Sequence, residues 1–133
     1  MITAIADTHT IIWYLYDDTR ISEKAKRFIE AASEQGNQIG ISTITLVEIV
    51  YLIEKGRIEN CAFTKINSEL QDNRSVLREI PLTNEIVLKL AQIDRDSIPD
   101  MPDRIIAATA LYQDVPLLSR DGKIKNSRVE TIW

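Results

Sequence analysis

Four acidic residues occupy positions from which a folded chain can present a carboxylate. Asp7 follows the apolar run Ile2 to Ala6, and Glu48 is the one charge in the middle of TITLVEIVYLIEKG. Asp103 opens the apolar run that continues through Ile105, Ile106, Ala107 and Ala108, and Asp121 follows the apolar segment ending at Ser119. Two carboxylates about 5 Å apart repel by roughly 3 kcal/mol at an effective dielectric near 20. A cluster of them therefore demands protonation or a hard cation, and all-oxygen donors suit magnesium or manganese. A single histidine, His9, and a single cysteine, Cys61, cannot assemble a zinc site of the usual nitrogen and sulfur ligands or an internal disulfide. Any metal must be held by oxygen.

Each acid also has a plainer use. Asp100 can cap a helix, Pro102 is tolerated in its first turn, and Asp103 then complements the helix dipole. Glu48 can be paired with a Lys or Arg, since a buried carboxylate left alone raises its pKa or weakens the fold. The recurrence of acids at matching places favours chemistry.

The elements that must hold these residues follow from periodicity and caps. Ile2 to Ala6 suits a buried strand, and Thr10 to Tyr16 a short helix. Ser22 caps a helix through Gln35 with Ala25, Phe28, Ile29 and Ala32 inward and Gly36 as its stop. Ile39 to Ile41 is a second strand, and Ser42 or Thr43 caps a helix ended by Gly56 that is apolar on nearly every side. Cys61 to Asn73 reads as a polar covering helix and Val76 to Pro81 as a strand. Thr83 caps a helix through Ile93 with Ile86, Val87, Leu90, Ala91 and Ile93 inward. The loop Asp94 to Asp103 fails as a calcium loop, because Ile98 and Pro99 fall where a ligand and a glycine are needed. A buried helix from Asp100, a strand Val115 to Ser119 and a last strand Val129 to Trp133 complete the chain. Strands alternating with helices imply a mostly parallel sheet covered on both faces, with ligands at the carboxyl ends of its strands. All four acids can reach that edge.

At 133 residues, 44% hydrophobic and 27% charged, the chain fits one domain, residues 1–133. The formal net charge of -4 argues against a protein that coats nucleic acid, though not against a nuclease whose acids are neutralised by metal. The N-terminus has no basic region ahead of its apolar residues, which are interrupted by Asp7 and His9, so a cytoplasmic location and no membrane contact are expected.

Together these segments resemble the PIN-domain superfamily, and within it the VapC-type toxins of bacterial toxin–antitoxin pairs. The resemblance rests on the strand closing on Asp7-Thr8-His9 with a Trp-containing helix after it, and on the lone Glu48 in an apolar helix. It rests equally on Asp100-Met101-Pro102-Asp103-Arg104 with Ile106-Ala107-Ala108, and on Ser119-Arg120-Asp121. It implies a three-layer α/β/α fold and hydrolysis of RNA at a Mg2+ or Mn2+ site lined by Asp7, Glu48, Asp103 and Asp121, with the Ser119 hydroxyl nearby. Asp7 and Asp103 take the direct ligand roles, and Glu48 and Asp121 either ligate or orient water. A homodimer and a cognate antitoxin that blocks the site are implied as partners. The proline directly before Asp103 departs from the family pattern, so Asp100 is a cap or lies behind the ligands. Arg104 and Arg120 can bind phosphate or pair the acids. His9 can touch substrate or be structural, Trp13, Tyr14 and Tyr16 can stack bases or pack, and Lys123, Lys125 and Arg128 can meet RNA or only solvent. Two other classes fit less well: an aspartate-dependent phosphatase using Asp7, which needs an acid where His9 stands, and a non-catalytic PIN-like module that binds an antitoxin.

Overall fold

Asp7 leaves the sheet at its centre. In the computed structural model, which describes residues 1–125 and 127–133 except for the Lys125 side chain, five strands form one sheet. They are β1 (Ile2–Ala6), β2 (Gln38–Ser42), β3 (Leu77–Ile80), β4 (Leu117–Leu118) and β5 (Thr131–Ile132), in the order β3-β2-β1-β4-β5. Every pairing is parallel. Ile5 lies opposite Gly40 of β2 on one side and Leu117 of β4 on the other. The chain thus winds outward from β1 to β3 and returns to build β4 and β5 on the far side. That reversal beside β1 is the switch point at which α/β sheets open a crevice.

Both faces of the sheet are covered, which makes its strands almost continuously apolar. Alternation along β1 divides the core. Ala4 and Ala6 face a layer with Ile11, Ala25, Ile29 and Ile66, while Ile5 faces a layer with Ile86, Ile106, Ala107 and Ala110. The first layer is built by α1 (Thr8–Leu15), α2 (Glu23–Glu34) and α4 (Ala62–Gln71), the second by α5 (Asn84–Leu90) and α6 (Met101–Gln113). The helix α3 (Thr43–Glu54) reaches both, through Ile49 and Ile44, and a single turn, α7 (Gly122–Lys125), follows β4. This is the expected three-layer α/β/α arrangement. In α6 every residue from Ile105 to Ala110 is buried, the small alanines letting the helix lie close to the strands. Gly40 serves the same close packing: a Cβ there would meet Ile5 Cδ1 at 2.5 Å and Ile80 Cγ1 at 2.9 Å.

Several expectations need correction. The first helix begins at Thr8 rather than Thr10, because the Asp7 carboxylate accepts the Thr10 amide at 3.0 Å and caps it. Of the two expected caps of α3, Ser42 is the one used. That helix is far from enclosed: Val47, Val50 and Tyr51 are 57%, 40% and 54% exposed. On α5, Ile86 packs inward but Val87 and Ala91 do not, and the helix stops at Leu90. The last two strands are two residues each, and α7 had no signal in the sequence. Among the described residues no helix is long and apolar enough to cross a membrane.

Candidate active site

A cleft of about 470 Å³ opens at the carboxyl edge of the sheet, lined by Asp7, Thr8, His9, Thr10, Trp13, Glu48, Asp100, Asp103, Arg120 and Asp121. All four predicted acids are in it, and Asp100 joins them. They arrive from separate elements: Asp7 from the end of β1, Glu48 from α3, Asp100 and Asp103 from the start of α6, and Asp121 from the turn after β4.

Local hydrogen bonds hold four of the five carboxylates, those of Asp7, Glu48, Asp100 and Asp121. The backbone amide of Asp7 donates to the Leu118 carbonyl at 3.2 Å, and the Thr10 hydroxyl to the same oxygen at 3.1 Å, locking β1 and α1 onto β4. Asp100 Oδ2 accepts the Asp103 amide at 3.1 Å, so Asp100 is a cap and a cleft residue together. Ser119 is buried, and its Oγ accepts the Asp121 amide at 3.1 Å; the Asp121 carboxylate in turn accepts the Lys123 amide at 2.9 Å. Ser119 thus shapes the turn that presents Asp121.

Glu48 has no lysine or arginine beside it: among the described residues the ion pairs are Arg20–Asp18, Lys26–Asp17, Arg27–Glu23 and Arg74–Asp72. Its partner is Thr8, whose hydroxyl donates to Glu48 Oε1 and lies 3.1 Å from the Thr45 hydroxyl. This Thr45–Thr8–Glu48 chain was missed in the sequence. Its one signal was Thr45 standing three residues before Glu48, on the same face of a helix.

The electrostatics are those of crowded acids. Burial, then the charges of Asp100, Asp121, Glu48 and Asp7, push the Asp103 carboxyl from its ordinary 3.8 up to about 7. Burial also raises Glu48, against the opposing pull of the Thr8 hydrogen bond. Asp103 therefore feels all four other acids. The side chains line the cleft without converging: among the described residues no three acidic, histidine or cysteine groups are close enough to hold one ion as they stand. Mutual repulsion spreads like charges in this way. The donor set among the described residues, five carboxylates with His9 as the one ring-nitrogen donor and Arg120 a cation that cannot ligate, fits a hard divalent cation.

The two arginines beside the acids part company. Arg104 turns away and donates to the carbonyls of Leu90 at 3.4 Å and Ile93 at 3.1 Å, closing the end of α5, so it is not available to phosphate. Arg120 stays in the cleft, its guanidinium 4.5 Å from the centroid of Trp13. His9 is exposed, with its ring 5.7 Å from the same indole. Trp13 is only 5% exposed and packs against Trp133, which leaves it no face for a base; Tyr14 and Tyr16 are half-buried against the same core. Lys123 and Arg128 are exposed, and the Lys125 side chain lies outside the described residues.

A sequence model of the PIN domain matches residues 4–129. Over 136 aligned positions covering all of both chains, the sequence is 26% identical to a protein of Mycobacterium tuberculosis named ribonuclease VapC22. The fold is similar to that in a crystal structure of VapBC2 from Rickettsia felis bound to a DNA fragment from their promoter, with TM-score 0.73 and 18% identity over 99% of this chain and 98% of that one. It is also similar to that in DNA-bound VapBC from Salmonella typhimurium, with TM-score 0.70 and 16% identity over 99% and 98%.

Proposed function

The chain belongs to the PIN-domain family, and from that premise we propose that it is a Mg2+- or Mn2+-dependent endoribonuclease, the toxin of a toxin–antitoxin pair. The observation that carries this reading is that five carboxylates line one cleft, where burial and their charges push the Asp103 carboxyl up to about 7. The full-length similarity to a named ribonuclease and the fold shared with toxin–antitoxin complexes support it.

In this mechanism Asp7 and Asp103 hold the cation, with Glu48 and Asp121 as further ligands or as acceptors that orient a water. A divalent ion at such a site supplies acidified water and neutralises charge on the phosphate. The chain's own contribution is placement. Thr8 fixes the Glu48 carboxylate, the Thr10 amide fixes Asp7, and the Ser119 turn fixes Asp121, so none has to be ordered when RNA arrives. A cognate antitoxin that closes the cleft, and a homodimer formed through the exposed apolar residues of α3 and α5, complete the proposal.

The test is cleavage of mixed cellular RNA by antitoxin-free protein in magnesium, manganese or EDTA, beside Asp7→Asn and Asp103→Asn. Metal-dependent cuts that disappear in both variants, a loss of at least about 100-fold, are expected. Cuts that survive EDTA or either substitution would overturn the assignment, and folded protein that cuts nothing would favour a pure antitoxin-binding module.

A further inference from the structure

Among the described residues one guanidinium lines the acid cleft, and its surroundings do not neutralise it. Arg120 is exposed and lines the same wall as the five carboxylates, yet among the described residues it makes no ion pair with any of them. It rests instead on the face of Trp13 at 4.5 Å. A second guanidinium, Arg20, lies 5.3 Å from the same ring, but it is bound to Asp18 at 2.8 Å and is no part of the cleft. Of the two cations on one indole, one is already spent on a carboxylate and the other is free.

The difference has a physical consequence. An arginine beside acids normally folds onto one of them. Here the indole face offers an attractive resting place, and among the described residues the fork donates no hydrogen bond and is left for a ligand. An unpaired guanidinium at the edge of a carboxylate cleft is suited to an anion that bridges the two, one part over the acids and their cation, another on the arginine. Planar, bidentate recognition of a phosphate oxygen pair is what that fork does best.

We infer that Arg120, held on Trp13, binds a backbone phosphate of single-stranded RNA adjacent to the one that is cut, with Trp13 as its positioning residue. His9, on the same indole, edges the same side of the cleft. The inference rests on the ribonuclease reading and deepens it. Arg120 sets where along the strand the scissile bond falls relative to the carboxylates, and it takes no part in proton transfer.

The experiment measures binding of a short fluorescein-labelled single-stranded RNA of mixed sequence, by anisotropy in calcium over a series of salt concentrations. Cleavage kinetics of the same RNA in magnesium run beside it. The parent protein is compared with Arg120→Ala, Arg120→Lys and Arg20→Ala. One phosphate contact contributes about 0.7 to the slope of log affinity against log salt for a single strand. Arg120→Ala is expected to lower that slope by about this amount, to weaken binding roughly ten-fold, and to raise KM more than it lowers kcat. Arg120→Lys keeps the charge and thus the slope, while losing part of the affinity with the fork. Arg20→Ala leaves slope and affinity unchanged. An unchanged slope in Arg120→Ala overturns the inference, as does an equal loss in Arg20→Ala, which would trace the effect to total charge. If the parent binds RNA with the Arg120-dependent slope but cuts nothing, the phosphate site stands and the nuclease reading falls. If it cuts RNA and Arg120→Ala changes nothing, the reverse holds.

Discussion

At the scale of single residues the cleft is a site where stability has been given up for chemistry. Asp103 has a carboxyl near 7 in the folded protein and near 3.8 otherwise. Between those values the folded state keeps a proton that the unfolded chain has lost, so stability falls as pH rises through the window and the loss is complete above about 7. Glu48 is raised as well and acts in the same direction. The metal-free protein in EDTA should therefore melt at a lower temperature near pH 8 than near pH 5. Asp103→Asn should flatten that dependence and melt higher than the parent near pH 8, although it abolishes cleavage. Magnesium should restore the parent more at the higher pH, because Asp103 must lose its proton to become a ligand. Calorimetry at both pH values checks all of this, and a parent that melts higher near pH 8 without metal contradicts the repulsion assigned to the cleft.

The four main acids were legible because each sits at a visible break in apolar patterning. Asp7 ends a β-branched run and Asp103 follows a capping aspartate and a proline. What the sequence did not display was direction. Arg104 and Arg120 are each adjacent in sequence to a cleft acid, yet one reaches back to the carbonyls of α5 and the other lies on Trp13. That choice is made by residues far away in the chain. Thr8 is equally silent in sequence, because its meeting with Glu48 spans 40 positions.

Among the elements, a helix enclosed over most of its surface is legible from composition, and one with a face in water is less so. The buried run of α6 is apolar and small because the sheet covers it, so composition alone revealed it. The apolar residues of α3 carried the same signature but cover less: Thr45 and Ile49 are its buried positions, while Val47, Val50 and Tyr51 form an exposed stripe at helical spacing. Periodicity records that a face is apolar and not what lies against it. Strand packing has its own single-residue control at Gly40. A methyl group there collides with the Cδ1 of Ile5 and the Cγ1 of Ile80, so Gly40→Ala should destabilise the fold by about 1–3 kcal/mol through overpacking. Urea denaturation measures it directly, and because the collision lies beneath the sheet edge, the fraction that remains folded should bind cation as the parent does. A melt within error of the parent would mean that β2 can shift to make room.

For the whole molecule, the unanswered physical demand is the apolar surface that the fold leaves in water. The α3 stripe is joined by Val87 and Leu88 on α5, 44% and 59% exposed, and by Leu82 and Met101, 42% and 50% exposed. Scattered apolar residues are ordinary on a surface, but a stripe at helical spacing on one helix, with exposed apolar residues on a second, is the pattern of an interface. The proposed homodimer would bury it and leave the acid cleft to the antitoxin. Tyr51→Glu is the sharper of two tests, because Lys55 already lies 5.4 Å from the Tyr51 ring. A glutamate four residues before that lysine gains a favourable helical pair, so the variant should remain folded while its new charge disrupts an apolar contact. Light scattering should give the mass of two chains for the parent and of one chain for Tyr51→Glu, with Leu88→Glu behaving alike. If both variants remain dimers, the copies meet elsewhere. If the parent is a single chain at every concentration, the stripe belongs to the antitoxin, and adding that partner should protect Val47, Val50 and Tyr51 from hydrogen exchange while leaving the Gly40 strand unchanged.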